Sequence, residues 1–253
     1  MRLVTLGEKE KGMGSSEKVT ARIATRVEEL VADFDSYVTV FTQSGRFTGP
    51  CWYFHEKTIQ ARNDAPSIEA LFADHTFFEY LYATLTSWGL HRMGPGNAKL
   101  RDIEEIKESF NLQLQAISDL SKLSLLTLPR ENIRKTAEKV WRVLTSLRVS
   151  IAEAQIVANS KALHHVIPCL LPPIDREYTF NFFYDRKSLS IPEERAFIEM
   201  FTAMAEIARR NAEAIHRFQG SPWNTSESKV IDNAVVGFMI HKATPNTPLE
   251  PPR

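Results

Sequence analysis

The chain has 253 residues and a mass of 28.8 kDa, enough to bury an apolar core without disulfide support. Its 43% hydrophobic and 25% charged residues exclude wholesale disorder, a collagen-like repeat and a coiled-coil rod. Thirty-one basic residues cancel 31 acidic ones and the pI is about 7.1, so no global positive field draws the molecule to nucleic acid or anionic lipid, and any such binding must be local.

Cys51 and Cys169 form no CxxC pair, which predicts reduced thiols rather than a zinc cage or a disulfide framework. The opening MRLVTLGEKEKGMGSSEK turns charged too early for a secretory signal. Nowhere do about 18 apolar residues follow one another. These features predict a soluble cytoplasmic protein that does not engage a membrane.

After a polar leader over residues 1–15, Val19, Ile23, Val27, Leu30, Val31 and Phe34 recur at the spacing of one helical face. The β-formers Tyr37 to Phe41 are followed by Ser44 and Gly45, which predicts a short strand paired with GRFTGPCWYF in a small β-hairpin. The run Phe77 to Leu90 is apolar almost all round and reads as the central helix, ended by a tight GPGN loop at 94–97. Leu100, Ile103, Ile106, Phe110, Leu114, Ile117 and Leu120 then keep helical spacing, in one helix or in two divided near Ser118 and Ser121.

Pro129 is expected in the first turn of the next helix, with Ile133, Ala137, Val140, Trp141 and Leu144 inward. A further helix is halted by Pro168, and Pro172 and Pro173 force an extended passage before the next helical segment. Ser190 with Glu193 makes a capping-box pattern for a helix that runs on to Gly220. A last helix covers about Ser226 to His241, before a loose tail. The expected fold is mainly α: one compact multi-helix domain over 16–241, with a leader over 1–15 and a tail over 242–253. Two lobes, 77–147 and 151–241, would flank any cleft.

Lys161 lies in ANSKALHH, between an apolar run and a proline-terminated helix, where desolvation would lower the proton affinity of its amine and make a nucleophile. Asp175 follows just after PPI, placed to fold its carboxylate back toward the lysine, or simply to cap the helix that begins there. His164 and His165 are adjacent and point about 100° apart on a helix, so they make no shared metal site. One ring is expected to face the core. The other, taken as His165, would face Lys161 as a general base. No metal and no cofactor is called for. Lys229 with Asp232 or Asn233 reads as a surface pair at i,i+3 or i,i+4.

The helices from FFEYLYATLTSWGL to Leu147, followed by SKALHHVIPCLLPPID, resemble in order the helix-hairpin-helix DNA glycosylases of base-excision repair. The resemblance spans about Phe77 to Phe183. It implies a glycosylase or lyase acting on a flipped base, with DNA as partner, Lys161 as nucleophile and Asp175 stabilising developing positive charge. Arg92, Lys99, Arg101 and Arg176 would contact phosphate, Ser160 would add a further nucleic-acid contact, and Tyr178 or Trp88 would stack on a base. The chain departs from that family in its QIVANS segment, which has no glycine where the family presents a glycine-rich hairpin to phosphate, and in a shorter lysine-to-aspartate interval. SKALHH, PPIDREYT and SKVIDNA also resemble parts of a prokaryotic protein family that implies no activity. The competing expectations are a noncatalytic helical module that binds nucleic acid or protein, and a small-molecule enzyme using the histidines and Asp175.

Overall fold

A computed structural model describes residues 15–91, 99–152, 154–220 and 222–244. The expected leader up to residue 14, the GPGN loop with Arg92, and the tail from residue 245 lie outside the described residues. Thirteen α-helices occur among the described residues: α1 (Ser15–Ala32), α2 (Phe34–Gln43), α3 (Pro50–Asp64), α4 (Ile68–Ala73), α5 (His75–Leu85), α6 (Ile103–Leu112), α7 (Leu114–Leu120), α8 (Arg130–Ser146), α9 (Ile156–His164), α10 (Asn181–Tyr184), α11 (Glu193–Arg210), α12 (Ala212–Phe218) and α13 (Glu227–Ala243). Two π-type turns, Thr86–Leu90 and Arg176–Phe180, continue α5 and lead into α10. The β-structure among the described residues is one isolated antiparallel bridge between Leu100 and Ser150.

The expected β-hairpin is therefore absent, and both of its halves are helical. Phe34, Tyr37, Val38 and Phe41 are buried on one side of α2, a 3.6-residue repeat that outweighs the β-propensity of the YVTVF run once tertiary packing is available. The second half becomes a loop and the start of α3, where Pro50 occupies the first turn after Gly49 at φ 65°. The central helix is also not the expected one. Every residue of α13 from Ser228 to Phe238 is buried, whereas α5 buries Phe77, Phe78, Leu81, Thr84 and Leu85 and leaves Glu79 exposed.

Helix boundaries moved where backbone geometry overrides local pattern. The 100–120 stretch breaks at Gln113 (φ −105°, ψ 9°) rather than at its serines. Pro129 and Pro192 each precede the first helical residue in an extended conformation; at Pro192 this leaves Ser190 too far upstream to cap, so the capping box does not form. The long helix toward Gly220 divides at Asn211 into α11 and α12. Ser226 caps α13 by accepting from the Lys229 N–H. That helix runs on to Ala243, two residues into the expected tail. Among the described residues no helix is long and apolar enough to cross a membrane.

Packing around α13 is unusually close on one side. α2 lies along it, with Tyr37 against Phe238 at 5.0 Å between ring centres. A Cβ placed on Gly237 would sit 1.9 Å from the Tyr37 carbonyl oxygen and 2.8 Å from its carbon. Both clashes are with main chain, which cannot rotate away. Gly237→Ala is expected to destabilise the fold by about 3 kcal/mol, the upper part of the usual overpacking range. Urea denaturation checks this; a loss below about 0.5 kcal/mol would show that α2 and α13 separate freely.

Candidate functional site

The proline-rich segment after α9 is held in place from three directions. His164 Nδ1 donates to the Leu171 carbonyl (2.8 Å). The Ser228 hydroxyl of α13 lies 2.7 Å from the Pro168 carbonyl and 3.0 Å from that of Leu171. Ser160 Oγ accepts the Ile174 N–H at 3.2 Å. Pro172 and Pro173 keep the strand-like path between these anchors extended. It delivers Asp175, whose Oδ1 accepts the Tyr178 and Thr179 N–H groups (2.7 and 3.2 Å) while its own N–H donates to Thr179 Oγ1 (3.1 Å). These bonds fix the carboxyl plane and occupy one of its oxygens.

Lys161 is on α9, whose entry is set by Asn159. The Asn159 side-chain amide donates to the Leu144 and Leu147 carbonyls at the end of α8 (2.8 and 3.0 Å), satisfying acceptors that a helix end leaves open. QIVANS is thus the first turn of α9 with its cap residue and not a turn of its own.

Lys161 and Asp175 line one cavity of about 320 Å³, at the small end of the range for ligand pockets. Phe41, Phe47, Trp88 and Trp223 supply its aromatic lining, and Lys229 and Asp232 of α13 also face it. Trp88 is fixed by its indole N–H donating to the Cys51 carbonyl (3.2 Å), while Cys51 Sγ donates to the Ser87 carbonyl (3.3 Å). Phe47 and Trp223 have φ of 61° and 67°, a left-handed conformation that costs a bulky residue about 1–3 kcal/mol and tends to occur at functional sites. Phe47 is 36% exposed and meets Trp223 and Tyr178 edge-on, with centroids 6.1 and 6.0 Å apart.

Among the described residues Lys161 Nζ has no hydrogen bond or ion pair; it lies 5.7 Å from the centre of the Trp88 ring. Burial lowers the proton affinity of this amine, and Asp175 and Asp232 pull it partly back up. Lys229 is of another kind. Only 4% exposed, it donates to Asp232 Oδ2 (2.5 Å) and Asn233 Oδ1 (2.7 Å). The surface pair expected here is a buried one. Burial raises the Asp232 carboxyl above its ordinary value, against the pull of Lys229.

The other anticipated residues divide. Arg176 is exposed beside Asp175, and Lys99 is near enough that Arg176, after burial, lowers its proton affinity. Tyr178 is half-buried, and its hydroxyl accepts from Arg46 at 3.0 Å. Arg101 is committed to Glu105 at 3.3 Å. Ser160 is fully buried and spent on the backbone. Arg46, Phe47, Trp223 and Lys229 were not singled out for the site; the hint available was the Gly-flanked GRFTG, read instead as a hairpin.

His165 does not turn toward the Lys161 amine. Its Nδ1 donates to the Lys161 carbonyl (2.7 Å), so its Nε2 accepts from His55 Nδ1 (3.0 Å), and His55 Nε2 in turn accepts from the Thr225 hydroxyl (3.0 Å). His55 stacks on Trp223, with centroids 5.3 Å apart and planes at 13°. This relay ties α3, α9 and the turn before α13 together behind the cavity. Among the described residues no group of three or more His, Cys, Asp or Glu side chains is arranged to hold a metal ion. No protein-family model, curated protein or solved structure matches the chain.

Burial lowers all three histidines, His55 and His164 well below their ordinary value and His165 to about 4. A folded value below the unfolded one of about 6.5 means that neutral rings add stability fully present above that pH and lost as pH falls. The urea midpoint is therefore expected to drop between pH 6.5 and about 4. A midpoint flat through that window would show the rings to be open to solvent.

Proposed function

We propose that the cavity is the active site of a glycosylase or lyase that acts on a nucleotide turned out of a nucleic-acid strand. One observation carries this reading: the Lys161 amine, partly buried and free of any ion pair among the described residues, shares an aromatic-walled cavity with the Asp175 carboxylate. Flat rings favour a flat base, since stacking on Trp or Phe is tolerant of base identity. A neutral lysine amine is a nucleophile for a sugar carbon. Attack of Nζ on C1′ forms a C–N bond as the glycosidic bond breaks. The base leaves with the bonding electron pair, and Nζ gives up a proton. Ring opening of the sugar then yields an imine at C1′. The carboxylate of Asp175 opposes the positive charge that develops on the sugar.

Lys99, Arg176 and Arg46 supply positive charge around Asp175 and Tyr178 for backbone phosphate. With zero net charge, such contacts would be few and the affinity only moderately salt-dependent. The helix-hairpin-helix likeness belongs to this proposal too. In its favour stand the helical architecture and the order of α8, α9, the proline segment and Asp175.

Borohydride trapping on an oligonucleotide with an abasic site tests the chemistry. The aldehyde and Lys161 condense to an imine with loss of water, and hydride reduces it to a stable amine. A covalent adduct is expected with the wild type and none with Lys161→Ala. Its yield should rise with pH through a midpoint below the ordinary lysine value of about 10.4, because the unprotonated amine reacts. A folded wild type that gives no adduct would overturn the reading in favour of a noncatalytic binding module.

Asp175 separates charge from capping. Asn caps a helix about as well as Asp, whereas Ala costs about 1 kcal/mol. Asp175→Asn should thus keep wild-type stability within about 0.5 kcal/mol and Asp175→Ala should lose about 1, while both slow base excision to a similar degree. Excision retained in Asp175→Asn would leave the carboxylate with a capping role alone.

A further inference from the structure

Lys229 takes no part in the chemistry proposed above, yet it lies in the stretch of α13 from Ser228 to Phe238 in which every residue is buried. Its ammonium lies 5.4, 5.6 and 5.8 Å from the ring centres of Trp223, Phe41 and Trp88. Asn233, one of its two partners, is itself pinned, donating to the Trp223 carbonyl (3.0 Å) and to Asn224 Oδ1 (2.7 Å). A buried ion pair is commonly no more stabilising than apolar side chains of the same volume. Stability alone therefore gives no reason for the pair.

Its surroundings link it to Lys161. The two amines share the Trp88 ring, at 5.7 Å for Lys161 and 5.8 Å for Lys229. Both line the cavity together with Asp232. Asp232 thus lies near two lysine amines and bonds to one of them. We propose that Lys229 is a positioning residue: by engaging Asp232 it keeps that carboxylate from pairing with Lys161, and so leaves the Lys161 amine free to react. This rests on the reading of Lys161 as a reactive amine, though not on its substrate.

The charged and titratable groups around Lys161 are Asp175 before the second π-type turn, Asp232 and Lys229 on α13, Lys99 ahead of α6, Cys51 on α3 and, with its ring turned away from the amine, His165 just after α9. After burial, the two carboxylates raise the proton affinity of the amine, and Lys229 and Lys99 lower it. Loss of Lys229 removes a repelling charge and frees a carboxylate. Both changes favour a protonated, unreactive Lys161.

Reductive methylation with formaldehyde and cyanoborohydride, mapped by mass spectrometry across the neutral and alkaline range, reads the Lys161 amine without any nucleic acid. In Lys229→Met the pH midpoint for Lys161 should move upward, and the rate at pH 7 should fall about tenfold for every whole pH step the midpoint climbs. If the methionine variant does not fold, Lys229→Gln, which keeps a hydrogen bond to Asp232 and loses only the charge, should move the midpoint upward by a smaller step, and an unmoved profile there counts equally against the proposal. Lys229→Met combined with Asp232→Asn should return the profile toward wild type, because the freed acid is gone; a merely structural role for the pair predicts no such rescue. An unmoved Lys161 profile in a folded single variant, or a double variant displaced as far as the single one, would overturn the proposal. Failure of trapping on abasic DNA beside a shifted methylation profile would sink the enzymatic reading and leave this one standing.

Discussion

The arrangement of this protein depends on enclosing one charged cluster inside a helix that is otherwise core. α13 carries Ser228, Lys229, Asp232 and Asn233 in the same stretch as Val230, Ile231, Ala234, Val235 and Phe238, and all of them are buried. A lone ammonium in that position would be prohibitively costly. It is tolerated because Asp232, Asn233 and three aromatic faces surround it. Those aromatic groups come from α2, the first π-type turn and the residues before α13. Satisfying one amine therefore gathers the elements that wall the cavity.

A second constraint acts from the other side. The segment from Pro168 to Asp175 has few intrahelical bonds of its own, so its backbone groups need partners elsewhere. Ser228, Ser160 and His164 provide them. The same contacts set where Asp175 stands relative to Lys161, fourteen residues earlier in the chain. Behind them the His55–His165 relay is linked through the Lys161 carbonyl. The backbone of the candidate nucleophile is thus tied to the core while its amine is left unpaired. The left-handed backbone at Phe47 and Trp223 adds strain where two aromatic walls meet, and the surrounding stacking holds it in place.

Much of the helical content was legible from periodicity. The stripes of α1, α8 and α11 turn inward as their spacing indicates: Val27, Ile133, Val140, Phe197 and Met204 are buried, and Val19, Ile23, Val31 and Trp141 pack partly buried against the core. Asp175 and Lys161 stood out because prolines around them predicted an irregular segment between helices. Misreadings fell where a local signal was truthful but outvoted. Tyr37 to Phe41 has β-forming residues, yet contact with α13 needs its 3.6-residue face. Lys229, Asp232 and Asn233 look like a solvated helix face because charge pairs at that spacing usually are one. Nothing along the chain reveals that Trp88, Phe41 and Trp223 will close over them.

By itself, the order of residues determined the fold class, most helix positions, the extended proline segment and the presence of an amine and an acid near it. Those features follow from short-range rules of period, capping and backbone restriction, which act within a few residues. Tertiary structure alone decided that α13 rather than α5 is central, that Lys229 is enclosed, that His165 bonds to a carbonyl, and that Lys161 and Asp175 open into one cavity. Each of these depends on partners far apart in the chain. Burial, which makes a charge costly or an amine reactive, arises only when such segments meet.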